Sequence, residues 1–255
     1  ISACLVGSEM CIRDSTECAF DPAKLTCHGA ESDQCLTPAE VATANAFYSG
    51  PTDHAGKATY YGWPPGSETG VLTWAFLETP LNAPGEPSFD GLFKWVFGPE
   101  WNWRNFDLDR DMPQVDAKLG PILNGAVTGD FTRFKARGGK LIIFQGWADP
   151  IVAPYQTVAL YEKLAKEFGP DQDFARLFMA PGLTHCGLGG TGLNGFESAQ
   201  SSMLPPPSDD ARHDLFVALI AWVEDKKTPT EVVATSYVDN KDASKGIAMQ
   251  RPLCP

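Results

Sequence analysis

From residue 131 onward the chain alternates short apolar runs with longer amphipathic stretches. Residues 140–145, KLIIFQ, follow the pair Gly138-Gly139 and are almost wholly apolar. A run of that length, flanked by turn residues, predicts a parallel strand buried on both faces. Residues 153–168 carry Tyr155, Val158, Ala159, Leu164 and Phe168 at helical spacing, with Gly169 as the stop. A second strand is expected at residues 175–179. A strong helix is expected at 209–225, with Leu215, Ala218, Leu219, Trp222 and Val223 on one face and Lys226-Lys227 suited to the negative end of its dipole. One more strand is expected at 231–237. Strand, helix, strand, helix implies an α/β class with a parallel sheet and right-handed crossovers.

Upstream the pattern weakens. Thr37-Pro38-Ala39-Glu40 reads as a helix start, with an N-cap threonine, proline at N1 and an acid at N3. That helix should end at Gly50-Pro51. Beyond it lie Pro/Gly-rich loops and an aromatic-rich stretch from Phe89 to Phe106, the composition of an irregular, loop-rich subdomain. Residues 1–15 show neither helical nor strand period. They resemble the adapter-derived peptide found at the ends of metagenomic gene calls, and are expected to be a non-native leader. The expected division is therefore leader 1–15, loop-rich subdomain 16–130 and α/β core 131–255.

Composition narrows the classes. Hydrophobic residues make up 43% of 255, enough for a large core and against general disorder. A net charge of −12 disfavours nucleic acid, whose phosphates demand surplus Lys and Arg. No apolar stretch approaches membrane-span length. The seven cysteines are an odd set (4, 11, 18, 27, 35, 186 and 254), so one at least lacks a partner within the chain. Cys27 and Cys35 flank a short polar loop and are the favoured pair. On the chain-entropy view, closing that loop contributes roughly 2–3 kcal/mol.

In open α/β sheets, function gathers in loops past the C-terminal strand ends. Two such loops stand out. Gly146-Trp147-Ala148-Asp149-Pro150 follows the first strand, and Pro181-Gly182-Leu183-Thr184-His185-Cys186 follows the second. A carboxylate and then a histidine is the chain order of the last two members of a Ser-Asp-His hydrolase triad. Histidine can take a proton near neutrality and return it, while aspartate fixes the tautomer and stabilises the imidazolium. Taken singly, Asp149 before a proline is more often a turn residue than a catalyst, and a loop histidine such as His185 is more often an ordinary one.

The runs GGKLIIFQGWADPIVAPYQTVALYEKL, FARLFMAPGLTHCG, LIAWVEDKKTP and RPLCP resemble the tannase and feruloyl esterase family. CAFDPAKLTC…CLTPAEV and GSETG resemble that family's lid region. The resemblance spans residues 16–255. It implies an α/β-hydrolase fold, here the C-terminal part of the core sheet with an inserted lid. Asp149 and His185 become catalytic. Cys186 becomes half of a disulfide whose other half neighbours the nucleophilic serine. The implied substrates are small phenolic or aromatic esters, and the implied location is secreted or periplasmic. No cofactor is implied for the chemistry, but a structural calcium is expected in the family lid, in a loop missing here.

One departure matters. A nucleophile elbow needs glycine two residues before the serine. No serine here has it: Pro65 precedes Ser67 at that distance, Val6 precedes Ser8 and Phe196 precedes Ser198. The elbow and oxyanion hole are expected upstream, and the chain is expected to be truncated at both ends, with Cys18, Cys186 and Cys254 lacking their mates. The alternative is a non-catalytic α/β-hydrolase-like module holding an aromatic ligand, and a further one is an unrelated lipid-type esterase. Other motifs weigh less. Residues 187–192 match GxGxxG but open no helix. Asp107-x-Asp109-x-Asp111 lacks the glycine and glutamate of a calcium loop and reads as a solvated acidic loop. His28 and His54 lie in polar loops without metal-ligand spacing, and His213, in the first turn of the expected 209–225 helix, reads as a surface residue rather than a ligand. Trp63, Trp95, Trp101 and Trp103 could line an aromatic pocket, but for most of them lid core is the favoured reading.

Overall fold

The computed structural model describes residues 20–68, 90–124, 129–170, 172–185, 208–239 and 242–255. Upstream, a short 3₁₀ turn at Pro22–Leu25 leads to helix α1, Pro38–Ser49. α1 starts where Thr37-Pro-Ala-Glu40 predicts, with a complete capping box. Glu40 N donates to Thr37 Oγ1 at 3.2 Å, and Thr37 N to Glu40 Oε2 at 2.7 Å. Two orphan amide groups of the first turn are thereby satisfied. Cys27 and Cys35 are bonded, with S–S 2.06 Å. The following loop folds back on α1 through glycine: a Cβ on Gly62 would stand 2.1 Å from the Tyr48 carbonyl oxygen.

The acidic run at 107–111 is not a solvated loop. It starts helix α3, Leu108–Leu123, which packs on α2, Asp90–Phe97. Asp107 caps α3, accepting from Arg110 N at 2.9 Å. Asp111 is buried, accepts from Asp107 N and takes Nε and Nη2 of Arg110 at 2.6 and 2.7 Å. Acids in the first turn meet the positive end of the helix dipole, so the carboxylates stabilise the helix. These contacts hold the Asp111 carboxyl below the usual range, chiefly through Arg110. The aromatic-rich stretch is a packed cluster, with Phe93 stacked on Trp101 at 4.8 Å and edge-on to Phe106 at 5.2 Å.

The downstream region opens with α4, Thr132–Ala136. Strand β1, Leu141–Gly146, and β2, Ala175–Ala180, then pair in parallel, joined by helix α5, Pro154–Phe168. Strand alternation splits the β1 side chains between two cores. Leu141 and Ile143 pack with Leu164 and Phe174 on the α5 side. Ile142 and Phe144 pack with Phe178, Leu215, Val232 and Leu253 on the other.

Helix α6 spans Leu215–Glu224 and starts later than residue 209, because the Asp214 side chain caps it, accepting from Phe216 N at 2.8 Å and Val217 N at 3.2 Å. Residues 209–213 form turns before it. Lys226 Nζ donates to the Val223 carbonyl at 2.6 Å, as its place past the helix end suggests. Strand β3, Val232–Tyr237, lies where one more strand is expected. It pairs antiparallel with β4, Ile247–Leu253, which periodicity does not predict. Pro252 suits an edge strand, where a missing amide proton costs little. Cys254, expected to lack its mate, is disulfide-bonded.

Candidate active site

Parallel pairing of β1 and β2 sets Gly146 opposite Ala180, so both following loops leave one rim of the sheet. The two loops are knitted by backbone. Trp147 N donates to Ala180 O at 2.9 Å, and Ala148 N to Leu183 O at 3.1 Å. Only glycine fits at 146, because a Cβ there would lie 2.0 Å from Leu183 O. Gly182, at φ 70°, makes the turn that brings Leu183 back toward it.

This framework joins Asp149 and His185, with Nδ1 of the imidazole 3.0 Å from Asp149 Oδ2. The aspartate side chain is 6% exposed and the histidine 29%. Each carboxylate oxygen has two donors. Oδ1 accepts from Ile151 N at 2.8 Å and Val152 N at 3.0 Å. Oδ2 accepts from His185 and from Gln145 Nε2, the latter at 2.7 Å. With Nδ1 engaged by the carboxylate, Nε2 is the ring nitrogen left to take up a proton. A buried acid behind a part-exposed base can therefore run general acid–base chemistry on a group brought to the imidazole. Among the described residues no hydroxyl or thiol hydrogen-bonds His185. The buried Ser67 hydroxyl donates to Pro64 O at 2.7 Å instead.

The upstream region reaches this loop. Trp63 Nε1 donates to the Asp149 carbonyl at 3.0 Å, and Tyr60 hydroxyl donates to Gln156 Oε1 near the start of α5. Trp63 is fixed by its own amide on Phe47 O at 3.0 Å and an edge-on contact with the Phe47 ring. Its grouping with the other tryptophans as pocket lining or core hides this role. Trp95 is 69% exposed, and Trp101 and Trp103 belong to the α2–α3 side. Gln145 is the other residue that motif reading passes over. Its trace in the sequence is a lone amide closing an apolar strand. A cavity of about 220 Å³ lies where the regions meet, lined by Tyr60, Leu92, Phe93, Leu119, Leu123 and Gln156 among others, and it contains neither Asp149 nor His185.

Cys186 and the GxGxxG run at 187–192 lie outside the described residues. His54 Nδ1 meets Asp109 Oδ2 at 2.7 Å, and His213 Nδ1 meets Asp210 Oδ2 at 2.5 Å, so both are paired with carboxylates. Among the described residues no group of three or more His, Cys, Asp or Glu could hold a metal ion. The acids at 107, 109 and 111 fit a calcium ion poorly, since helix capping, His54 and Arg110 already engage them. No helix among the described residues is long and apolar enough to cross a membrane.

Solved structures share this architecture. That of an esterase from Aspergillus oryzae superimposes with TM-score 0.78 at 20% identity, over 95% of this chain and 47% of that one. The fold is that of an α/β-hydrolase. At the sequence level, a model described as tannase and feruloyl esterase matches residues 8–255, starting inside the stretch that reads as a leader. The chain belongs to the tannase and feruloyl esterase family. Among relatives, an uncharacterized esterase of Xanthomonas campestris pv. campestris is 31% identical over 274 residues, covering 95% of this chain and 46% of the relative. A probable feruloyl esterase B-2 of Aspergillus flavus is 27% identical over 252 residues, covering 95% and 46%. The chain spans about half the length of the curated relatives it matches.

Proposed function

We propose that the protein carrying this chain is a serine carboxylic-ester hydrolase acting on phenolic or aromatic esters. The observation that carries the reading is the 3.0 Å contact between His185 Nδ1 and the buried Asp149 carboxylate, on loops that leave one sheet rim. His185 is the general base that takes the serine's proton and returns it to the leaving alcohol. Asp149 orients the ring and stabilises the imidazolium. Relatives support the ester class: beside the feruloyl esterase, a mono(2-hydroxyethyl) terephthalate hydrolase of Piscinibacter sakaiensis is 28% identical over 279 residues. Both names describe hydrolases of aromatic-acid esters.

Residues 16–130 act as the lid, which in this reading supplies acyl-group contacts, and 131–255 as the C-terminal part of the core. Cys186, next to the base, takes the bridge to the cysteine beside the serine. The acid–base chemistry itself calls for no cofactor, and a structural calcium belongs with the lid rather than the reacting atoms. The bonded Cys27–Cys35 pair and the bonded Cys254 support a secreted or periplasmic location.

The test is hydrolysis of an aromatic ester such as methyl ferulate. The 255-residue chain, lacking an elbow serine, should show no turnover above background. The complete protein should turn the ester over, and His185→Ala should abolish that. Turnover by the chain alone, lost in His185→Ala, would mean that its nucleophile lies within these residues. Binding without turnover by the complete protein would favour a ligand-holding module instead.

A further inference from the structure

We infer that Gln145 is a positioning residue for the Asp149–His185 pair, and this rests on reading that pair as the acid and base of the hydrolase. Gln145 is the next-to-last residue of β1, and its side chain reaches both the loop that follows and α5. Nε2 donates to Asp149 Oδ2 at 2.7 Å and approaches the Val152 carbonyl at 3.4 Å. Oε1 accepts from Thr157 Oγ1, on α5, at 3.2 Å. These partners fix which end of the amide is which: two acceptors face the nitrogen and one hydroxyl faces the oxygen.

The geometry explains why an amide stands at the end of an otherwise apolar strand. Asp149 sits in a loop whose own amide groups grip only Oδ1. Oδ2 is the oxygen that must face the imidazole, and His185 is itself part-exposed on a second loop. Without Gln145, nothing among the described contacts would hold Oδ2 except the group it is meant to orient. The amide anchors it to the strand, and Thr157 anchors the amide to α5. Acid, strand and helix then form one rigid support behind the base, and such support keeps a catalytic geometry within productive limits.

The test uses two variants in the complete protein. Gln145→Met keeps the length and apolar stem but removes the donor. Gln145→Glu keeps the shape and sets a carboxylate against Asp149. Methyl ferulate turnover should fall in kcat by roughly ten- to a hundredfold for Met and further for Glu, with KM nearly unchanged. The ¹⁵N spectrum of His185 provides a readout independent of turnover. The native protein should show one tautomer, with the proton on Nδ1, and Gln145→Met a mixture. A packing role alone would make the near-isosteric Glu the milder change and leave the tautomer intact. Either that order or an unchanged kcat in Gln145→Met would overturn the inference. If the native protein turns over no ester, the esterase reading fails, while the tautomer measurement still decides the role of Gln145.

Discussion

Gly146→Ala should disable the site through a single methyl group. The backbone at 146 does not lie in the left-handed region, so alanine is conformationally allowed and space is the only obstacle. The added Cβ would meet Leu183 O at 2.0 Å and Leu183 C at 2.6 Å, whereas real Cβ contacts essentially never fall under 3.0 Å. One loop must therefore retreat from the other by about 1 Å, and the obstructing atoms are backbone, which cannot swing aside. That retreat strains the Ala148 N to Leu183 O bond and the 3.0 Å His185–Asp149 contact, just beyond Leu183 in the chain. Overpacking of this kind costs about 1–3 kcal/mol of stability. A misplacement of about 1 Å in catalytic geometry costs on the order of a hundredfold in rate. The assay is kcat/KM on methyl ferulate with the complete protein, together with the denaturant midpoint. Gly120→Ala, on α3 with nothing within 4 Å of the new Cβ, is the control and should be neutral or stabilising. Rate and stability in Gly146→Ala that match the control would refute the close approach of the two loops.

Trp63→Phe keeps the ring against Phe47 but removes the indole donor to the Asp149 carbonyl. A stranded part-buried carbonyl costs about 1–3 kcal/mol, or a fall in Tm of roughly 2–4 °C per kcal/mol at this size, and an unchanged thermal midpoint would show that the Trp63 loop and the acid loop are not coupled there. Asp109 holds the His54 imidazole above its ordinary range, chiefly through their hydrogen bond. A base raised in the folded state contributes stability that is fully present below the unfolded value of about 6.5 and is lost as pH rises through the folded one. The denaturant midpoint should accordingly separate native protein from His54→Ala at about pH 5.5 and converge by about pH 9, and a gap that widens with pH would contradict the pairing.

The strand–loop placement of Asp149 and His185 can be read from the sequence because apolar runs and their flanking glycines report strand ends directly. α1 is readable for a similar reason, since a capping box is local chemistry. α3 is not. Pro113 and Pro121 interrupt its pattern, and its opening acids look like solvent-facing charge until Arg110, His54 and the helix dipole are placed around them. The β3–β4 pairing and the bond at Cys254 hide as well, because strand direction and long-range disulfides are tertiary facts with no local periodicity. β4 in addition exposes most of its length, so no alternation of burial announces it.

Gln145 and Trp63 show a second kind of illegibility. Neither belongs to a motif, and each acts on Asp149 from a different direction, one on its side chain and one on its carbonyl. A carboxylate in a loop tolerates many orientations, so its catalytic use depends on donors supplied by elements that already hold still. Here those are the end of β1 and a loop pinned to α1 through Phe47 and the tight Gly62–Tyr48 approach. The acid of the pair is thus held by both the end of β1 and the upstream region. Any change that loosens the upstream loop at Trp63 should reach His185 through the 147–153 loop, even though no upstream residue among those described hydrogen-bonds the imidazole.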